Sequence, residues 1–380
     1  MALSVTTLTT VDQLQGLQEE WIGLLGRTRA DLPFLRPEWL ITWWELFRQD
    51  RSVIRDSLHV KAVRSESGEL VALVPLMVTE RPAVGPARVR TLGFLGADKY
   101  ITEQRAPIVD GAYEADVAQA LASNLASDGS WSWIAWEGLE PGSLFAKTLG
   151  QTMALQWQEQ QSANILHLPP SWDEFRRGFK EHLKKSVRHC YNSLKREGMS
   201  AQLEVAATPQ QIAPALEIFF KLHSSLAQEA EEVVRTDRFA DPTARRFLAL
   251  VCERLAARNI TRVFTLRIGG APVASRVAFQ LPECLYLYHS GYDPAWRKYA
   301  VATTIVADAI KYAIHLGIPR VHLSMGVDES KARWNPETPR FHQAVWVKPQ
   351  LSSRFALGLY SLARTDAMRR VRSLLGRSFG

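Results

Sequence analysis

The stretch LYLYHSGYDPAWRKYAVATTIVADAI, Leu285–Ile310, sets the fold. It opens as a strand dense in aromatic side chains, turns at Ser290-Gly291, crosses a short basic segment and becomes a helix. From Thr303 to Leu316 the apolar positions Val306, Ile310, Ala313 and Ile314 share one helical face. Gly317 stands where a left-handed C-cap ends a helix, and Pro319 prevents its return. RVHLSMG, Arg320–Gly326, then reads as a short strand, and a crossover of this length lays the two strands side by side and parallel. Ligands of open α/β sheets gather at the carboxyl end of the first strand, where the helix begins. This helix start holds no acid before Asp308, so its free amides and the positive end of its dipole favour an anion, above all a phosphate. Arg297, Lys298 and the hydroxyls of Tyr299, Thr303 and Thr304 surround it, and small Ala300 and Ala302 allow close approach. The expected guest is a phosphorylated cofactor; the alternative is a start satisfied by Thr303 or by water.

Outward from this unit the elements alternate. ITRVFTLRIGGAPVASRVAFQLPECLYLYHSGY reads as three strands joined at Gly269-Gly270 and Leu281-Pro282, preceded by a helical region from about 209 to 258 that breaks near Asp241-Pro242. In the first half, SLHVKAVRSESGELVALVPLMVTE reads as a hairpin, followed by a strand at RVRTLGFLG, a helix over Tyr113–Ser127 and a strand at SWIAWEGL. The repeated order points to an internal duplication. At 380 residues the chain suits two domains. The boundaries fall at 1–165, 166–350 and a basic amphipathic tail, 351–380. With 46% hydrophobic and 22% charged residues the composition is that of a globular protein. The N-terminus carries no secretory pattern, and the longest apolar run, Val71–Val78, falls far short of the ~20 residues a spanning helix needs. The expected compartment is the cytoplasm. Cys190, Cys252 and Cys284 are scattered, which excludes a disulfide framework and a zinc knuckle, and no metal is expected. Of the net charge of +7, the tail supplies +5 through six arginines against Asp366, so the preceding 350 residues carry only +2. The pI therefore does not mark a nucleic-acid-binding body.

The order of hairpin, aromatic strand, basic turn, helix and strand resembles the acyl-CoA half of the GNAT superfamily. More closely, PFLRPEWLITWWELF, ALVPLMV, LPPSWDEFRRGFKEHLKKSVRHCYNSLKREG, YHSGYDPAWRKYAVATTIVADAI and HLSMGVDESKARWNP resemble the two-domain group named after CelD/BcsL of cellulose biosynthesis, relatives of the Fem aminoacyltransferases. The resemblance implies an α/β (α+β) fold of tandem GNAT-like domains, each a mixed twisted sheet flanked by helices. It also implies acetyl-CoA or another acyl-CoA as co-substrate, held by the second domain, with the first domain shaping the acceptor cleft. Where that group shows Ser-Pro-Gly, Asp-Phe-Leu and Tyr-Lys, this chain has Ala300-Val301-Ala302, His322-Leu323-Ser324 and Ser330-Lys331.

Acyl transfer needs a base for the nucleophile, donors for the oxyanion and an acid for the leaving thiolate. His289 is the candidate base by its intrinsic pKa, with Asp328 or Glu329 in the loop after Gly326 as the other choice. Tyr292 or Tyr288 is a candidate donor to the leaving sulfur. Cys190 beside His189 is the one cysteine with a base as neighbour, but the two point in different directions on a helix. Lys331, Arg333 and Trp334 combine a cation, a fork and an indole, which suits a sugar or an anionic acceptor.

Eight Lys/Arg residues lie between Arg176 and Arg196 on an amphipathic helix, a solvated face or else a surface for an anionic polymer. The tail is of a kind that lies on an anionic membrane surface, at the inner face of the membrane, or packs back on the body. Together these expectations describe a cytoplasmic acyl-CoA-dependent N- or O-acyltransferase acting on a sugar or small-molecule acceptor of cell-envelope or exopolysaccharide metabolism. The alternatives are a Fem-like transferase using aminoacyl-tRNA and a non-catalytic GNAT-like scaffold.

Overall fold

A computed structural model describes residues 2–358, except 29–30, 83–87, 99–100, 141, 229–236, 327, 352 and 356. Most of the basic tail, from 359 onward, therefore lies outside the described residues.

The crossover unit forms as its sequence dictates. Cys284–Tyr292 and Arg320–Met325 are parallel strands, joined through the helix Val301–His315, which Gly317 closes at φ +69°. The first half repeats this unit with the parallel strands Val89–Phe94 and Trp133–Leu139 around the helix Glu114–Ser127. Each parallel pair is matched over only two residues, Leu285–Tyr286 with Val321–His322 and Thr91–Leu92 with Trp133–Ile134. Beyond those residues the strands separate, and a cleft opens at their carboxyl ends.

Among the described residues, one twelve-stranded sheet runs through both halves. Its seam is the strand Gln156–His167, antiparallel to Arg320–Met325 on one edge and to Arg340–Val347 on the other. Arg340–Val347 in turn pairs with Trp133–Leu139, so the last described strand belongs to the sheet of the first half. The residue 165/166 division lies inside the seam strand. A second sheet of four strands, Ser4–Leu8, Val60–Arg64, Leu70–Val74 and Ile108–Val109, shares the hairpin around Gly68.

The core also joins the halves. Trp39 of the helix Pro37–Phe47 meets Phe247 of Pro242–Ala257 edge-on at 5.1 Å, while Phe34 meets Tyr286 at 5.1 Å. Tyr288 donates its hydroxyl to the Ile101 carbonyl at 2.6 Å. These aromatic rings stack long-range contacts on one another, worth ~0.5–1.5 kcal/mol per pair beyond burial.

Gly291 is set by close approach. A Cβ there would lie 2.3 Å from the backbone nitrogen of His223, because the helix Pro209–Gln228 touches the strand at this point. The His223 ring bonds the neighbouring Ser290 carbonyl at 2.9 Å and fixes the contact. Gly291→Ala is expected to cost about 1–3 kcal/mol through overpacking; urea melts of the two proteins read it directly, and an unchanged midpoint would contradict the close approach.

Candidate active site

The helix Val301–His315 begins without a side-chain cap and without an acid in its first turn. Ahead of it, the short 3₁₀ turn Pro294–Tyr299 leads into Ala300, which adopts the left-handed conformation at φ +56°. A right-handed turn followed by a left-handed residue points successive amides at one spot, an anion-binding concavity. The Ala300 carbonyl accepts the amides of Thr303 at 2.9 Å and Thr304 at 3.1 Å. The amides of Val301 and Ala302 have no acceptor among the described residues. Val301 is fully buried and Ala302 exposed, so the donor open to a ligand is the Ala302 amide, within the 302–304 stretch that the sequence indicates.

Arg333 stands beside this start. Its guanidinium donates to Thr303 Oγ1 at 3.2 Å and to Ser186 Oγ at 2.7 Å, and its Nε has no partner. Arg297, Lys298 and Ala302 are exposed there, and the Lys298 carbonyl accepts from His189 at 2.8 Å. Tyr299 is buried and donates to Glu197 at 2.5 Å. Thr304 offers nothing outward: it is fully buried, and its hydroxyl turns back to the Ala300 carbonyl at 3.2 Å. Lys331 and Trp334 likewise leave the acceptor group in which the sequence reading places them. Lys331 donates to the Met325 carbonyl at 2.6 Å and closes the end of its strand, and Trp334 packs edge-on against Phe179 in the core.

At the mouth of the second cleft the decisive group comes from the first half. Glu103 accepts Ser324 Oγ at 2.6 Å, Tyr286 Oη at 2.6 Å and the Met325 amide at 3.3 Å. Burial raises its pKa, against the pull of these donors and of Lys331. Ser324 holds φ +71°, uncommon for a side-chain-bearing residue, and so turns its hydroxyl onto the carboxylate. No sequence motif marks Glu103, because its partners lie more than 180 residues away.

His289 is less available than its type indicates. A register shift opposite Arg276–Ala278 turns it into a nest with Tyr288, at 4.0 Å, and Phe239, at 5.1 Å. Its Nε2 is buried without a partner, and burial, then Arg238, holds its pKa well below the usual range. Asp328 caps the short helix Glu329–Ala332, and although burial pulls its pKa up, Ser330 and Lys331 bring it below the ordinary value. Tyr292 is half-buried against the second core. Cys190 is buried and burial raises its pKa, while His189 faces Lys298, so the two share no task. Among the described residues no three His, Cys, Asp or Glu side chains gather as a metal would require, and no helix is long and apolar enough to cross a membrane.

The model of the acetyltransferase (GNAT) domain family matches residues 181–332. The match lies within the second half and spans 152 of the 380 residues. Solved structures extend the likeness across the chain: FemX at 10% identity, over 89% of this chain and 96% of that one, has a TM-score of 0.60. The C-terminal domain of a putative lysylphosphatidylglycerol synthetase from Agrobacterium fabrum, at 13%, covers 91% and 95% with 0.52, and L-PGS from Bacillus licheniformis, at 12%, covers 92% and 95% with 0.51. At these identities the likeness is one of fold, a mixed α/β arrangement that extends over both halves. No curated protein matches the sequence.

The two GNAT-like halves differ at their helix starts. In the first half Glu114 and Asp116 occupy the first turn, and Glu114 is buried with an oxygen on the Phe145 amide at 3.3 Å. An anion is repelled there and attracted at Val301. Of the two helix starts, that of the second half is the one without an acid.

His322 stacks on Tyr286 at 4.2 Å, and burial, with Lys331, pushes its pKa down to about 3. The folded protein therefore keeps it neutral where the unfolded chain binds a proton. Its contribution is fully present above pH ~6.5 and is lost as pH falls from there toward the folded value. Acid titration of the unfolding free energy is expected to lose up to one proton of slope, about 1.4 kcal/mol per pH unit, in His322→Asn; an identical slope would show that His322 is protonated in the fold.

Proposed function

We propose that the protein is an acyl-CoA-dependent N- or O-acyltransferase whose donor lies at the Val301 helix start and whose acceptor meets it at Glu103. The observation that carries this reading is the exposed Ala302 amide, without an acceptor among the described residues, in a turn with no acid and with Arg333 alongside. When bound, acyl-CoA supplies a thioester carbonyl. The Ala302 amide would hold its diphosphate, and the Arg333 guanidinium beside it would add positive charge. Glu103, oriented by Tyr286 and Ser324, would take the proton of the acceptor's amine or hydroxyl as it attacks the thioester carbonyl; the C–S bond then breaks, and the departing CoA thiolate takes up that proton. His289 and Asp328 are weaker bases, the first by its lowered pKa and burial, the second by its bonds within the cap. The acceptor class we favour is a cell-envelope or exopolysaccharide amine or hydroxyl, and the resemblance to the CelD/BcsL-type group supports it.

Titration calorimetry with acetyl-CoA and CoA tests the donor. Ala302 is exposed and an acid in a first turn favours the helix, so Ala302→Glu should fold normally yet weaken CoA by roughly tenfold. An unchanged Kd would mean that the donor lies elsewhere, and no binding at millimolar ligand would leave the scaffold reading. For the base, Glu103→Gln is expected to lower kcat about a hundredfold or more with little change in the KM for acyl-CoA. A kcat within a factor of about three would remove Glu103 from the role.

A further inference from the structure

The helix Glu181–Arg196 presents two different sides. Ser186 and His189 face the donor helix start through Arg333 and Lys298. Lys184, Arg188 and Tyr191 follow one another at helical spacing on another side, where with the helix Trp172–Arg177 they enclose a cavity of about 370 Å³. Trp172, Phe179 and Tyr191 form its apolar floor.

The charge around this floor is unbalanced. Asp308, buried beneath it, accepts Tyr191 Oη at 2.5 Å and Lys311 Nζ at 2.8 Å. Lys311 also lies 5.1 Å from the centres of both the Trp172 and Tyr191 rings. Asp308 and Lys311 thus neutralise each other and hold the two rings apart. Arg176 has Asp173 at 3.2 Å, a pair exposed to solvent and worth little. Arg177, Lys184 and Arg188 have no acidic partner among the described residues, and Lys184 is half-buried at the rim. Like charges four apart on a helix repel, so nothing in the fold accounts for Lys184 and Arg188 standing together. A merely solvated basic face would overlie a filled surface; this one rims a concavity with ring faces at its base.

We infer that this cavity is a second anion site, distinct from the donor site, that takes a phosphate ester with its organic part against Trp172 and its phosphoryl oxygens on Arg177, Lys184 and Arg188. The ester has two possible sources, a soluble phosphorylated molecule or a phospholipid headgroup. Planar guanidinium forks and an ammonium suit phosphoryl oxygens, and the indole suits the flank of a sugar or glycerol.

The full chain, at about 0.15 M salt, is titrated with sn-glycerol 3-phosphate and floated with phosphatidylglycerol and phosphatidylcholine vesicles. Lys184→Glu/Arg188→Glu is compared with wild type, and a melting temperature checks that the two changes leave the fold intact. Loss of about tenfold or more in affinity, with CoA binding unchanged, is the expected result. Binding of glycerol 3-phosphate identifies a soluble source; binding of phosphatidylglycerol vesicles alone identifies the headgroup. The inference is overturned if wild type binds none of these probes, or if the double variant binds them as wild type does. It is also overturned if CoA affinity falls in parallel, since the cations would then serve the donor. Trp172→Ala, expected to weaken the same probe severalfold, separates a shaped site from diffuse charge: no effect would reduce the cavity to a basic surface.

Discussion

A strand has two edges, and Gln156–His167 gives one to each half of the molecule. Every backbone group along it must find a partner or be solvated, so the pairing fixes where the halves stand. With that register set, the segment from Ile101 to Arg105 is carried onto the second parallel pair. Tyr288 then reaches the Ile101 carbonyl, and Glu103 reaches Tyr286 and Ser324. The cleft of the second half is thereby finished by a carboxylate of the first. A separated second half would keep its acid-free helix start but leave Ser324, in its left-handed conformation, without the carboxylate that its hydroxyl meets.

Electrostatics distinguishes the two similar halves. Both contain a crossover helix beginning at a cleft between short parallel pairs. In one, Glu114 is turned inward to satisfy an amide of the neighbouring helix. In the other, the first turn keeps two amides unused. One acidic residue is enough to convert an anion cradle into a structural joint, because its charge occupies the position a phosphate would take.

Much of the second half was legible in the sequence because its determinants are local. Gly317 and Pro319 end the helix, Gly269-Gly270 turn the hairpin, and Asp241 caps the helix after the break. The strand Arg340–Val347 was not legible: RFHQAVWV shows no clean alternation, and its place depends on partners some 200 residues earlier in the chain. The site was readable in the same proportion. The helix start could be found from its lack of acids, whereas Glu103 could not, since tertiary packing alone gives it its donors. The fate of Thr304 and Trp334 follows from a related limit. Sequence places a side chain near a site, but the face of the helix or the filling of the core decides whether it points there.

Arg340–Val347 lies between Gln156–His167 and Trp133–Leu139. During synthesis the chain emerges from its amino end, so the first half is left with an open slot in its sheet while nearly 180 further residues are translated. Two unsatisfied edges wait there for a strand that leaves the ribosome only after the strands and helices of the second half. The amino-terminal half is thus a nascent dependant of the carboxyl-terminal one, exposed to premature pairing with other chains until its missing strand arrives.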